Sequence, residues 1–141
     1  MKLEVKKLDP LAKLPTRAHP DDAGLDLYTL EECVLRPGER QAIKTGIAIA
    51  IPSGYVGLIW DKSSIPAKWG VKTMGGVVDA SYRGEIHVIV VNLSDMPYTV
   101  EKGVKIAQLL IQKVKLPEVC EVSELDDTIR REKGFGSSGT H

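Results

Sequence analysis

Asp79 and Tyr82 stand three residues apart in the run Thr73-Met74-Gly75-Gly76-Val77-Val78-Asp79-Ala80-Ser81-Tyr82-Arg83-Gly84-Glu85. One acid and one phenol lie just outside an apolar strand there, beside glycines that permit close backbone approach to a ligand. The following Ile86-His87-Val88-Ile89-Val90-Val91 is β-branched and reads as a buried strand. This pattern predicts a rigid hairpin that turns the Asp79 carboxylate toward a pocket, the position of a general base. Taken alone, an aspartate in a turn is better explained by its own backbone hydrogen bonds. Tyr82 can cap the core edge with its hydroxyl in water. It can also form a flat floor under a sugar, where its ring would crowd a 2′-hydroxyl and favour deoxyribose.

Four further groupings carry chemistry. Asp61-Lys62-Ser63-Ser64 precedes a short helical turn expected around Ser63–Trp69. Two hydroxyls, a cation and exposed helix amides make an anion site, while the plain alternative is an N-cap by Ser63 or Ser64. Asp26, inside the strand-like Ala23-Gly24-Leu25-Asp26-Leu27-Tyr28, needs a partner: a local donor or the water of a bound Mg²⁺. Gln108, inside the apolar run Gly103–Leu110, needs its amide satisfied by backbone or by a ligand oxygen. The tail Arg130-Arg131-Glu132-Lys133-Gly134-Phe135-Gly136-Ser137-Ser138-Gly139 reads first as a solvated end. It nevertheless holds the parts of a phosphate clamp with a stacking ring.

The elements that must position these groups are short strands divided by Gly and Pro. They are expected at Leu3–Leu8, Leu25–Tyr28, Gln41–Ile51, Tyr55–Trp60, Ile86–Asn92, Tyr98–Val100 and Val104–Val114, with a capping box opening a helical turn at Ser123–Asp126. No long helical periodicity and no internal repeat occur, so the fold class is all-β, a jelly-roll-like barrel or sandwich. Residues 1–122 are expected to form the barrel and 123–141 a flexible tail.

The chain of 141 residues has 19 basic and 19 acidic side chains, so no global field favours nucleic acid or membrane. Its start alternates like a strand and lacks a signal-peptide core, and no apolar run suffices to span a bilayer, which together predict a cytoplasmic protein. Cys33 and Cys120 can pair in principle, but free buried thiols are expected in a domain large enough to need no staple. His19, His87 and His141 lack metal-ligand spacing, which argues against zinc. Trp60 and Trp69 are expected in the core or an interface. A Walker-type glycine loop is absent, as is any basic stripe interleaved with aromatics.

In order and spacing these segments resemble the five motifs of the trimeric, all-β dUTPase family. Ala23–Tyr28 looks like the first motif, Lys62–Val71 the second and Thr73–Glu85 the third. Gly103–Leu110 looks like the fourth and Arg130–Gly139 the fifth. The resemblance implies Mg²⁺-dependent hydrolysis of dUTP to dUMP and pyrophosphate by a homotrimer. It casts Asp79 as the group that activates the attacking water and Tyr82 as the platform for deoxyribose. The hairpin around Met74, Gly76, Val78 and His87 reads uracil, with Thr73 beside it. Lys62, Ser63, Ser64 and Gln108 hold the phosphates, and Asp26 supports the hydrated Mg²⁺. Arg130, Phe135, Gly136, Ser137 and Ser138 close over the site, in the family that of a neighbouring subunit.

Several positions depart from the family pattern. Lys62 stands where arginine is usual, which replaces a bidentate phosphate contact by a point charge. Ser64 replaces a glycine, Thr73 an asparagine that often touches the base, and Arg131 and Lys133 common glycines. Two rivals remain at this level. A dCTP deaminase, or a bifunctional deaminase and diphosphatase, of the same superfamily shares the paired Ser63-Ser64, but typically carries a glutamate against the pyrimidine where this chain has Asp79 with Tyr82. A regulatory, non-catalytic nucleotide-binding barrel would need no water-activating acid.

Overall fold

The computed structural model describes residues 1–139, and His141 lies outside them. Ten strands and one helix follow in chain order: β1 (Glu4–Lys7), β2 (Leu25–Tyr28), β3 (Cys33–Leu35), β4 (Arg40–Ala50), β5 (Tyr55–Asp61), α1 (Ser64–Trp69), β6 (Val71–Met74), β7 (Val77–Val78), β8 (Glu85–Asn92), β9 (Tyr98–Val100) and β10 (Lys105–Lys113). They build two four-stranded antiparallel sheets, ordered β1-β4-β8-β6 and β2-β10-β5-β7, and a two-stranded pair β3-β9. The architecture is the expected jelly-roll-like one.

Alternation along β8 shows why these residues form this sandwich. Ile86, Val88 and Val90 are essentially fully buried, whereas Ile89 between them is exposed. Side chains two apart share a face, so one face of β8 joins Ile43, Ile47, Ile49, Leu27, Ile106 and Leu109 in a single core. The seven strands expected from sequence form within a residue or two of their predicted ends. β3, β6 and β7 are additional; they are too short for local alternation to reveal, and long-range pairing decides them.

Other expectations are corrected. Ser123–Asp126 forms no helical turn, and among the described residues neither helix nor strand follows Lys113. A helical turn is marginal without a packed face, and every described residue from 115 onward is exposed. Trp60 and Trp69 are both about half exposed, which rules out the core of the two places expected for them, Trp69 standing tilted against Tyr98 with ring centroids 6.0 Å apart. Cys33 and Cys120 are free, but Cys120 is exposed instead of buried. Ser63 occupies the N-cap of α1 with helical backbone angles and makes no side-chain cap bond. A cap needs β-region backbone to turn the hydroxyl back onto the helix amides, so the Ser63 hydroxyl is left for other partners.

One irregularity positions the Asp79 hairpin. The register of β4 against β8 shifts between Lys44 and Ala48. The Gly46 amide in this bulge donates to Oε1 of Glu85 at 2.9 Å, and the Thr45 hydroxyl donates to the Ile86 carbonyl at 2.6 Å. The C-terminal foot of the hairpin is thereby tied to the centre of the sheet.

Candidate active site

Two cavities divide the residues singled out by sequence. The first, of about 310 Å³, is lined by Lys62, Ser63 and Ser64 at the start of α1, by Asp26 and Gln108 on the paired strands β2 and β10, and by Asp22 and Gly24. Sheet register assembles it, because Asp26 and Gln108 are direct Cα partners. The Gln108 amide donates to the Asp61 carbonyl at 2.8 Å, so its nitrogen is satisfied by backbone. A Cβ on Gly24 would lie 2.0 Å from Gln108 Oε1, so only glycine lets the strand pass that close to the amide.

Asp26 finds two local donors. Lys62 Nζ meets Oδ1 at 2.5 Å, and Lys105 Nζ lies 2.8 Å from Oδ2 in an ion pair whose angles leave that oxygen without a formed hydrogen bond. Burial pushes the Asp26 carboxyl up, but the ammonium groups of Lys105 and Lys62 outweigh it and hold its pKa below the ordinary value. Lys105 was not singled out from sequence; the departure of Lys62 from arginine was the nearest signal. Among the described residues no group of three or more His, Cys, Asp or Glu side chains converges on a metal position. The carboxylates of Asp22 and Asp26, both lining this cavity, suit a hydrated cation carried by a ligand's phosphates and not a protein cage.

The second cavity, of about 240 Å³, is lined by Gly76, Val78, Asp79, Tyr82, Glu85, Ile86 and His87, with Ile59 and Ile89 supplying apolar walls. A tight turn closes it: the Tyr82 amide donates to the Asp79 carbonyl at 3.1 Å. Arg83 folds back on the turn, its Nη1 donating to the carbonyls of Ala80 and Tyr82 at 2.6 and 2.9 Å. His87 sits beside Glu85, with Nε2 3.3 Å from Oε2. Asp79 is exposed at this rim. An acid and a phenol ring beside apolar side chains suit a pyrimidine nucleoside.

Two of the expected base contacts are not in this cavity. Thr73 is buried in β6, where its amide donates to Asp61 Oδ1 at 2.7 Å, and Met74 beside it is exposed but does not line the cavity. The alternation of β6 turns Thr73 inward, since Val71 and Thr73 share its buried face. Asp61 also pairs with Lys72, so it clamps the end of β5 to β6. Ile59 of β5 serves the apolar cavity and Lys62, just beyond the strand, serves the polar one, yet the two cavities share no lining residue. No described residue of the tail joins either: Phe135 is fully exposed, and Arg130 Nε donates to the Lys133 carbonyl within the tail itself. Arg130, Gly136, Ser137 and Ser138 are likewise exposed.

Comparison with known proteins places this arrangement. The family model for dUTPase matches residues 11–139. Deoxyuridine 5′-triphosphate nucleotidohydrolase of Mycolicibacterium gilvum is 49% identical over 147 residues, covering 99% of this chain and 96% of that protein. The enzyme of the same name from Nocardia farcinica is 49% identical over 142 residues, covering 99% and 86%. Among solved structures, the Staphylococcus bacteriophage 80alpha dUTPase G164S mutant with dUpNHpp superposes with a TM-score of 0.93 at 35% identity, covering 98% of each chain. The D95N mutant dUTPase of phage phi11 of S. aureus, described with a structural Mg(II) ion, superposes with a TM-score of 0.85 at 30% identity over 90% of this chain and all of that one. This chain belongs to the dUTPase family.

Proposed function

We propose that the chain hydrolyses dUTP to dUMP and pyrophosphate through attack of water on the α-phosphorus. The observation that carries this reading is that Asp79 and Tyr82 line one cavity together with the apolar side chains of Ile59, Val78, Ile86 and Ile89 and the polar Glu85 and His87. Asp79 accepts a proton as the water oxygen bonds to the α-phosphorus. The bond from that phosphorus to the bridging oxygen breaks, and pyrophosphate leaves with the electron pair. Base assistance of this kind contributes about 10²–10⁴-fold. Tyr82 carries the deoxyribose, while the backbone and side chains of Gly76, Val78 and His87 bound the uracil. Lys62, Ser63, Ser64 and Gln108 orient the phosphate chain, and positioning with charge neutralisation supplies most of the acceleration. Asp26 would hold Mg²⁺ through water, and the ion when bound with substrate neutralises and aligns the phosphates.

The working unit is a homotrimer in this reading. Two half-sites with no lining residue in common, and a tail whose described residues line neither, suit a site completed between copies. Arg130, Phe135, Gly136, Ser137 and Ser138 then close over a neighbour's substrate. The fit to a small nucleotide leaves nucleic acid and membrane without a role. Among the described residues no helix is long and apolar enough to cross a bilayer. The cytoplasm, where nucleotide triphosphates are made and used, is the matching location.

Incubation with Mg²⁺ and, separately, dUTP, dCTP, dTTP and UTP tests the proposal. The expected result is release of dUMP and pyrophosphate from dUTP alone. Conversion of dCTP to a uracil nucleotide would replace it with a deaminase, and absence of any turnover with a nucleotide-binding barrel.

A further inference from the structure

Asp26 lines the polar cavity with only 6% of its side chain exposed, and two lysines pair with it, Lys62 on Oδ1 and Lys105 on Oδ2. Lys62 lines that cavity; Lys105 does not, and instead borders a separate hollow beside Ile65, Trp69 and Tyr98. In a regular strand Lys105 and Gln108, three residues apart, would point to opposite faces. The register of β10 against β2 shifts between Lys105 and Ala107, and this irregularity lets Lys105 reach the same carboxylate that stands opposite Gln108.

Resting on the phosphate-binding reading of this cavity, we propose that Lys105 is a positioning residue: it is the standing partner of Asp26 that frees Lys62 to turn onto an anionic substrate. The charges of the trio sum to plus one. When Lys62 swings to a phosphate oxygen, Lys105 and Asp26 remain as a neutral pair. Without Lys105, Lys62 would be the sole counter-ion of a buried carboxylate, and its departure would leave an uncompensated charge, which is strongly unfavourable. A lysine suits the moving role, since its ammonium is a point charge on a flexible stem and not a fork fixed in one plane. The Asp26 carboxylate beside it raises the Lys105 pKa above its ordinary value, which keeps the standing partner charged.

The test uses the full chain with Lys105→Met, Lys105→Arg, Asp26→Asn and the double variant Asp26→Asn/Lys105→Met. For Lys105→Met the expected result is a KM for dUTP raised roughly tenfold with kcat within about threefold, and recovery of most of that loss in Lys105→Arg. Binding of inorganic tripolyphosphate, measured by calorimetry without Mg²⁺, should weaken in parallel, while binding of deoxyuridine stays unchanged. In the Asp26→Asn background, adding Lys105→Met should change tripolyphosphate affinity by less than about twofold, because no carboxylate then holds Lys62. Unchanged tripolyphosphate affinity in Lys105→Met overturns the proposal, and so does a full additive loss in the double variant. Should Lys105→Met not fold, the Lys105→Arg and double variants decide the matter, the latter lacking the buried charge. Failure of the wild type to turn over dUTP would sink the function reading alone, since the tripolyphosphate measurements still report on Lys105.

Discussion

The Tyr82 hydroxyl donates to the carbonyl oxygen of Glu85 at 2.9 Å, which lays the phenol ring across Gly84. A Cβ on Gly84 would come within 2.4 Å of that hydroxyl, so the ring can hold this pose only over a glycine. Glu85 in turn is held by the Gly46 amide in the bulge of β4. Orientation of the Tyr82 ring thus descends from a distortion in the core sheet through two hydrogen bonds.

Gly84→Ala should therefore displace the ring without removing any functional group. The expected effect is a KM for dUTP raised roughly tenfold and a weaker preference for dUTP over UTP, read from kcat/KM for both. Tyr82→Phe, which loses one partly exposed hydrogen bond worth about 1 kcal/mol, should cost less. An unchanged dUTP to UTP ratio in Gly84→Ala would show that ring pose does not set sugar choice.

Asp79→Asn keeps the size and most of the polarity of the side chain while removing its basicity. Turnover of dUTP should fall by about 10²–10⁴-fold with substrate binding nearly unchanged. Single-turnover kinetics with direct nucleotide binding separates the two. Wild-type turnover in this variant would remove Asp79 from the role of base.

On the polar side, Gly24→Ala drives a methyl group into the Gln108 amide and should break its bond to the Asp61 carbonyl. A roughly tenfold weaker affinity for tripolyphosphate is expected, with partial recovery in Gly24→Ala/Gln108→Ala, where the clash with the amide is gone and only the Cβ contact remains. Equal affinities for wild type and Gly24→Ala would mean that Gln108 does not shape this cavity.

Acid should destabilise the fold through two aspartates. Burial raises the Asp26 carboxyl and its two lysines lower it further than that; burial raises Asp61 likewise, and Lys72 with the Thr73 amide lowers it. Both folded-state values lie below the ordinary 3.8. Their stabilisation is thus complete above that value and disappears as pH falls below it through the folded-state pKa. Urea midpoints should be flat from about pH 7 to 5 in this respect and drop beneath about pH 4. In Asp26→Asn that drop should be shallower; an identical acid limb would dissociate Asp26 from it.

Removing residues 130–141 should leave the strands intact, since β10 ends at Lys113 and no described residue of the tail lines either cavity in the protomer. Circular dichroism and the oligomeric state are expected to match the full chain, with kcat/KM for dUTP reduced about 10²-fold or more. Normal activity in the truncated protein would make the tail a passive end.

Local chemistry in the chain was enough to locate most of the strands and the hairpin around Asp79 and Tyr82. β-branched alternation and Gly or Pro punctuation act over a few residues, and Leu25–Tyr28 and Tyr98–Val100 form as read. The order of the five motifs was likewise legible, because motif spacing is itself a linear property. Other features depend on which strands lie side by side. That Asp26 meets Lys105 follows from the pairing of β2 with β10 and its register shift, across nearly eighty positions of chain. That Thr73 turns inward, and that Trp60 and Trp69 stay half exposed, follows from which face each segment offers once the sheets pack. Periodicity says that a strand has two faces; only packing against a distant strand decides which of them becomes the core.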